Sequence, residues 1–168
     1  MREIRIIAGI AIALVLFVVG AFVWSTVTAK AGPMDSQAVR RIDRQCGFQS
    51  ECKVRLGDLF DGSWDTFYEF GVSVEQPTIN SVLGTQQVKR ADLQRTLVLM
   101  KDGHVVSSEH EAYGVEQPLA GQIEFATEYH REQGWVKYGR DSVLRVATFH
   151  TDSPKGKGTY YVLSEVEP

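Results

Sequence analysis

The longest apolar run in the chain, Ile6 to Trp24, is 19 residues without a charge. As a helix it would extend roughly 28 Å, close to the hydrocarbon thickness of a bilayer. Arg2 and Arg5 precede it in a five-residue tail, and Trp24 closes it where an aromatic suits the membrane interface. The pattern predicts residues 1–5 as a cytoplasmic tail, 6–24 as a transmembrane signal anchor, 25–34 as a linker and 35–168 as a domain. Ala29-Lys30-Ala31 has the small-x-small form of a cleavage site, but signal-peptide cores are usually only ~7–15 residues long. A retained anchor is therefore the expectation. It places the chain as a single-pass protein of the cytoplasmic (inner) membrane with its domain facing the periplasm or exterior.

Past the linker the periodicity changes. "MDSQAVRRIDRQCG" reads as a helix with Val39, Ile42 and Cys46 on one stripe, Asp35 or Ser36 as its cap and Gly47 at its end. Cys52, Val54 and Leu56 then alternate with Lys53 and Arg55, and Trp64, Thr66, Tyr68 and Phe70 alternate with Asp65, Phe67 and Glu69. Both stretches have the period of half-buried strands. A short helix follows, with Pro77 in its first turn, Ile79, Val82 and Leu83 as its apolar stripe and Gly84 to stop it. Leu97 to Met100 is continuously apolar, as in a strand covered on both faces, and Asp102-Gly103 supplies the turn of a hairpin. "GQIEFAT" adds a strand, and "SVLRVATFHT" and "TYYVLSEV" a final hairpin. The predicted class is α+β: a small, mainly antiparallel sheet domain with one or two packed helices.

Charge and cysteines narrow the setting. The net charge of −3 is unevenly shared, because three of the four charged residues before Gly32 are basic, which leaves the remainder acidic. An acidic domain gains nothing from counter-ion release on nucleic acid and is weakly repelled by anionic lipid. Its expected partner is a protein with a basic or aromatic-accepting surface. Cys46 and Cys52 are the only cysteines. Their spacing is not that of a C-x-x-C redox pair, and the histidines at 104, 110, 130 and 150 are too scattered to complete a metal site. A structural disulfide suited to an oxidising compartment is the favoured reading.

The stretch "CKVRLGDLFDGSWDTFYEFG", the short helix ending in "VLG", and the apolar strand before "KDG" resemble a loose group of small bacterial envelope proteins, lipoproteins or single-pass proteins. The matching positions are Leu56, Leu59, Trp64, Asp65, Tyr68, Phe70, Leu83, Gly84 and Leu97 to Gly103, within roughly residues 50–105. This chain departs from the lipoprotein members in having no lipidated cysteine and in having the Cys46/Cys52 pair. The resemblance implies an envelope location and a fold, and it transfers no catalytic residue.

No nucleophile elbow, P-loop or zinc-protease helix is present: His110-Glu111 has Gly114 where a second histidine is required. No catalytic residue, metal or cofactor is expected. Trp64 and Asp65 read as the structural corner of a sheet, with Trp64 packed on the Pro77–Leu83 helix. Tyr113, Tyr129, Trp135 and Tyr138 lie in the least regular part of the chain and are the candidate interaction surface. The functional expectation is a membrane-tethered protein-binding domain without catalysis, one concrete form of which is an immunity-type inhibitor. The alternatives are a small envelope hydrolase with an unrecognised site and an accessory subunit of a membrane complex.

Overall fold

The computed structural model describes residues 32–47, 52–112, 121–126, 133–153 and 156–166. Among the described residues no helix is long and apolar enough to cross a membrane, and the span expected at residues 6–24 lies outside them.

Helix α1 (Pro33–Cys46) starts earlier than its sequence suggests. Pro33 occupies the first turn, where its fixed φ and missing N–H cost nothing, and Gly32 is the N-cap. Asp35 and Ser36 therefore lie inside the helix instead of capping it. Met34, Ala38, Ile42 and Cys46 recur every fourth residue and form its buried stripe. Gly47 ends the helix at φ 55°, a conformation open to glycine, with its N–H donating to the Asp43 carbonyl. The expected Cys46–Cys52 disulfide is formed, with Cα atoms 5.5 Å apart, and ties α1 to the first strand.

The fold is α+β, and its strands divide into two sheets where the sequence suggested one. In the first, β1 (Cys52–Arg55), β7 (Val143–Ser153), β8 (Gly156–Glu165) and β5 (Ile123–Ala126) lie in the order β1-β7-β8-β5, with only β5 and β8 parallel. In the second, β4 (His104–Ala112), β3 (Gln94–Lys101), β2 (Thr66–Phe70) and β6 (Trp135–Gly139) lie in the order β4-β3-β2-β6, all antiparallel. Asp102 and Gly103, at φ 49° and 79°, make the tight β3–β4 turn that the Asp-Gly pair specifies.

The sheets face each other across one core. Val54, Leu144, Val146, Ile123, Phe125 and Leu163 from the first meet Phe67, Leu97, Leu99, Val136 and Tyr138 from the second. α1 packs into this layer against the edge strands β1 and β5. A smaller core forms on the other side of the second sheet, where helix α2 (Gln76–Leu83) lays Ile79 and Leu83 over Tyr68, Phe70, Val98 and Met100. Leu97 to Met100 is thus covered on both faces, as its unbroken apolarity requires. No described helix covers the outer face of the first sheet.

Candidate functional site

Trp64 and Asp65 form a structural corner, though not the one alternation suggested. Trp64 precedes β2 and packs into the main core, not on α2. Its indole N–H donates to the Phe60 carbonyl at 3.4 Å, its ring meets Phe60 edge-on, and the Arg140 guanidinium lies 5.0 Å above it. The period breaks at Asp65, which leaves the strand to hold the β3–β4 turn. Its carboxylate accepts the Asp102 N–H at 2.8 Å and the Thr66 hydroxyl at 2.9 Å. That backbone donor, more than any other group, holds the Asp65 carboxyl below its ordinary pKa; Thr66 and Lys101 act in the same direction.

The densest set of ionisable groups is one the sequence reading did not single out. Arg95 on β3 points into the main core, where Asp35, Glu69 and Glu111 converge on it from α1, β2 and β4. All four residues are at most 2 % exposed. The guanidinium donates to Glu69 at 3.1 Å, to Glu111 at 2.8 Å, to Asp35 and to the Ile123 carbonyl. Asp35 in turn accepts the Ile123 N–H at 3.3 Å, so β5 is tied to the same point. The carboxylates also cap α1 from outside its own sequence. Met34 N–H donates to Glu109 at 2.9 Å and Asp35 N–H to Glu111 at 3.3 Å, which places negative charge at the positive end of the helix dipole. Gly32 fits beneath them because a methyl group there would overlap the oxygens of Glu109 and Glu111.

One cation faces three carboxyls in this cluster, and burial answers the excess. It holds the Asp35 carboxyl well above its ordinary pKa; Arg95 opposes the shift, while Glu111 and Glu69 add to it. Burial alone would depress Arg95, but the three carboxylates outweigh it and raise its pKa. A carboxyl with a raised pKa can serve as a general acid where a substrate reaches it. Here it has no substrate access, since every member of the set is sealed from solvent. Its role is to lock α1, both sheets and β5 to one another.

The expected aromatic surface is not assembled by the described residues. Trp135 packs beside Tyr68 and Phe70 in the smaller core, while Tyr138 is 3 % exposed on the opposite face of β6. Tyr113 and Tyr129 lie outside the described residues. His104, His110 and His150 are exposed and dispersed, and among the described residues no group of three or more His, Cys, Asp or Glu side chains is arranged to hold a metal ion.

One exposed residue stands out on conformational grounds. Leu93, 78 % exposed, has φ 58°, the left-handed region that bulky side chains avoid. It ends a loop held against α2 by the Gln76 side chain, whose amide donates to the Val88 carbonyl at 2.9 Å and whose oxygen accepts the Arg90 N–H at 2.6 Å. The Arg90 guanidinium pairs with Asp92 at 3.0 Å. No sequence signal marks this position, since "KRADLQ" carries no turn glycine to indicate a positive φ.

No protein-family model, curated protein or solved structure matches the chain. Its functional reading rests on its own residues.

Proposed function

We infer that this protein is a single-pass membrane-tethered domain outside the cytoplasm that binds another protein and carries out no catalysis. Leu93 is the observation that carries the reading. A left-handed leucine stores strain on the order of 1–3 kcal/mol, and at 78 % exposure it recovers none of that by burial within this chain. A rigid loop that presents a strained, solvated apolar side chain suits an anchor for an apolar pocket on a partner. The sealed Arg95 cluster supports the same reading, because its ionisable groups are committed to holding the fold. The 19-residue apolar run and the Cys46–Cys52 bond are what favour the tether and the oxidising side of the membrane.

The test is in-cell photo-crosslinking from a reactive side chain placed at Asp92, with Leu93 native or changed to Asn. A discrete protein adduct is expected with Leu93. The Leu93→Asn chain, relieved of its strain, should lose the adduct while melting no lower than the parent. An adduct of equal yield from both, or none from either, would remove the Leu93 loop as the binding surface.

A further inference from the structure

The outer face of the first sheet is left open by the described residues, and it carries a local cationic pair on a domain that is acidic as a whole. Lys53 on β1 and Arg145 on β7 are direct cross-strand partners, both exposed, and both lie on the face away from the core. Like charges placed directly opposite each other disfavour the sheet. Neither has a carboxylate partner among the described residues, whereas neighbouring Arg55 is held by Asp58 at 2.8 Å and lies 3.8 Å from Asp141. On the same face Val143 is 49 % and Phe149 45 % exposed, and Phe149 stacks on Tyr160 with ring centroids 5.4 Å apart. Among the described strand residues of this face the one carboxylate is Glu124, on β5 beyond β8 and away from the two cations.

We propose that this face rests on the anionic headgroups of the membrane that tethers the protein; the inference builds on the tethered reading above. Two cations without a carboxylate partner among the described residues, on one face with exposed Phe149 and Val143, match a layer in which phosphates lie against the upper acyl region. Net charge misleads here, because an acidic domain can still present its cationic side to an anionic surface. The tether favours the bilayer over an acidic protein, because the membrane surface stays within reach of this face while a free partner must first be met in solution. Each cation near an anionic surface strengthens association only about five-fold. That is sufficient when a linker keeps the surface at millimolar effective concentration, and residues 25–32 reach at most about 27 Å. Docking this face turns the α2 side, with Leu93, away from the bilayer.

The test uses the full chain in nanodiscs of phosphatidylcholine, alone or with phosphatidylglycerol, each containing a lipid with a paramagnetic headgroup. The backbone amides of Arg145 and Phe149 are expected to broaden in the anionic discs, recover in high salt and stay sharp in neutral discs. Lys53→Thr with Arg145→Thr should abolish the broadening while leaving the chain in the discs and folded. Incorporation without broadening, or broadening on the α2 side instead, overturns the docking and leaves the face to an acidic protein. A chain that does not enter discs at all overturns the tether as well.

Discussion

Replacing Arg95 with Met removes the guanidinium while keeping a long apolar stem in the core. Asp35, Glu69 and Glu111, each at most 2 % exposed, then lose their shared cation. Breaking one buried ion pair from one side costs about 3–5 kcal/mol, and here a single change leaves three carboxyls behind. Proton uptake limits the damage, at about 1.4 kcal/mol per unit of pKa displacement. A loss of about 4–6 kcal/mol at pH 7 follows, against the 5–15 kcal/mol typical of a whole domain. With about 3–5 °C per kcal/mol at this size, the melting temperature should fall by roughly 15–25 °C. Asp35, its pKa already raised by burial against the pull of Arg95, would be raised further without the guanidinium, so the penalty should grow as pH rises and shrink towards pH 4. Adding Asp35→Asn to the Arg95→Met chain should recover part of the loss, because the two residues are in direct contact. Urea unfolding followed by circular dichroism across that pH range is the assay. An Arg95→Met chain within about 1 kcal/mol of the parent at pH 7, or one whose deficit ignores pH, would falsify the account of the cluster.

Asp35→Asn alone addresses the parent's own pH dependence. Asp35 has a raised folded-state pKa, so its contribution is fully present below its unfolded value near ~3.9 and is lost as pH rises through the folded value. The Asn variant should flatten stability against pH in that window, and an unchanged profile would move the titration elsewhere. Trp64→Ala should cost about 3–5 kcal/mol in urea unfolding, as for other large core deletions. Replacing Cys46 and Cys52 together by Ala should cost about 2 kcal/mol, reflecting the short loop they close. Gly32→Ala should weaken α1 docking, read as faster amide exchange at Met34 and Asp35, because the added methyl displaces Glu109 and Glu111.

Local grammar was legible where one residue type decides a conformation. Asp102-Gly103 specifies a hairpin turn, Pro77 and Gly84 bracket α2, and the apolar Leu97–Met100 run marks a strand covered on both faces. Strand partnership was not legible. Cys52 pairs with Val146, and nothing in either strand's alternation names so distant a partner. β6 has no strong pattern of its own, because its five residues are ordered by pairing with β2. Strand alternation carried across Asp65 places Trp64 wrongly, since the backbone turns there to meet the hairpin. The ionic cluster did leave a trace. Alternation puts Arg95 on the face of Leu97 and Leu99, and Glu69 on the face of Phe67. A charge in the inward register of an apolar strand needs a buried counter-charge. Only the tertiary fold could show that α1 and β4 supply two more.

These features make α1 the mechanical link between the N-terminal segment and the domain. Its first turn is held by Glu109, Glu111 and the Asp35–Arg95 pair, and its last by the disulfide to β1. Between them Ile42 and Ala38 are fully buried. Tension arriving through residue 32 therefore meets the ionic cluster before it meets any strand, and the cluster joins both sheets through β2, β3, β4 and the Ile123 backbone of β5. A buried ion set is a poor source of net stability compared with apolar packing of equal volume. It is, however, strongly directional, since the carboxylates meet the guanidinium in a fixed fork geometry and slippage of α1 by a single residue would strand Asp35 among apolar side chains. Fixing the helix register is a reason for this core to hold charge where leucine would have packed as well.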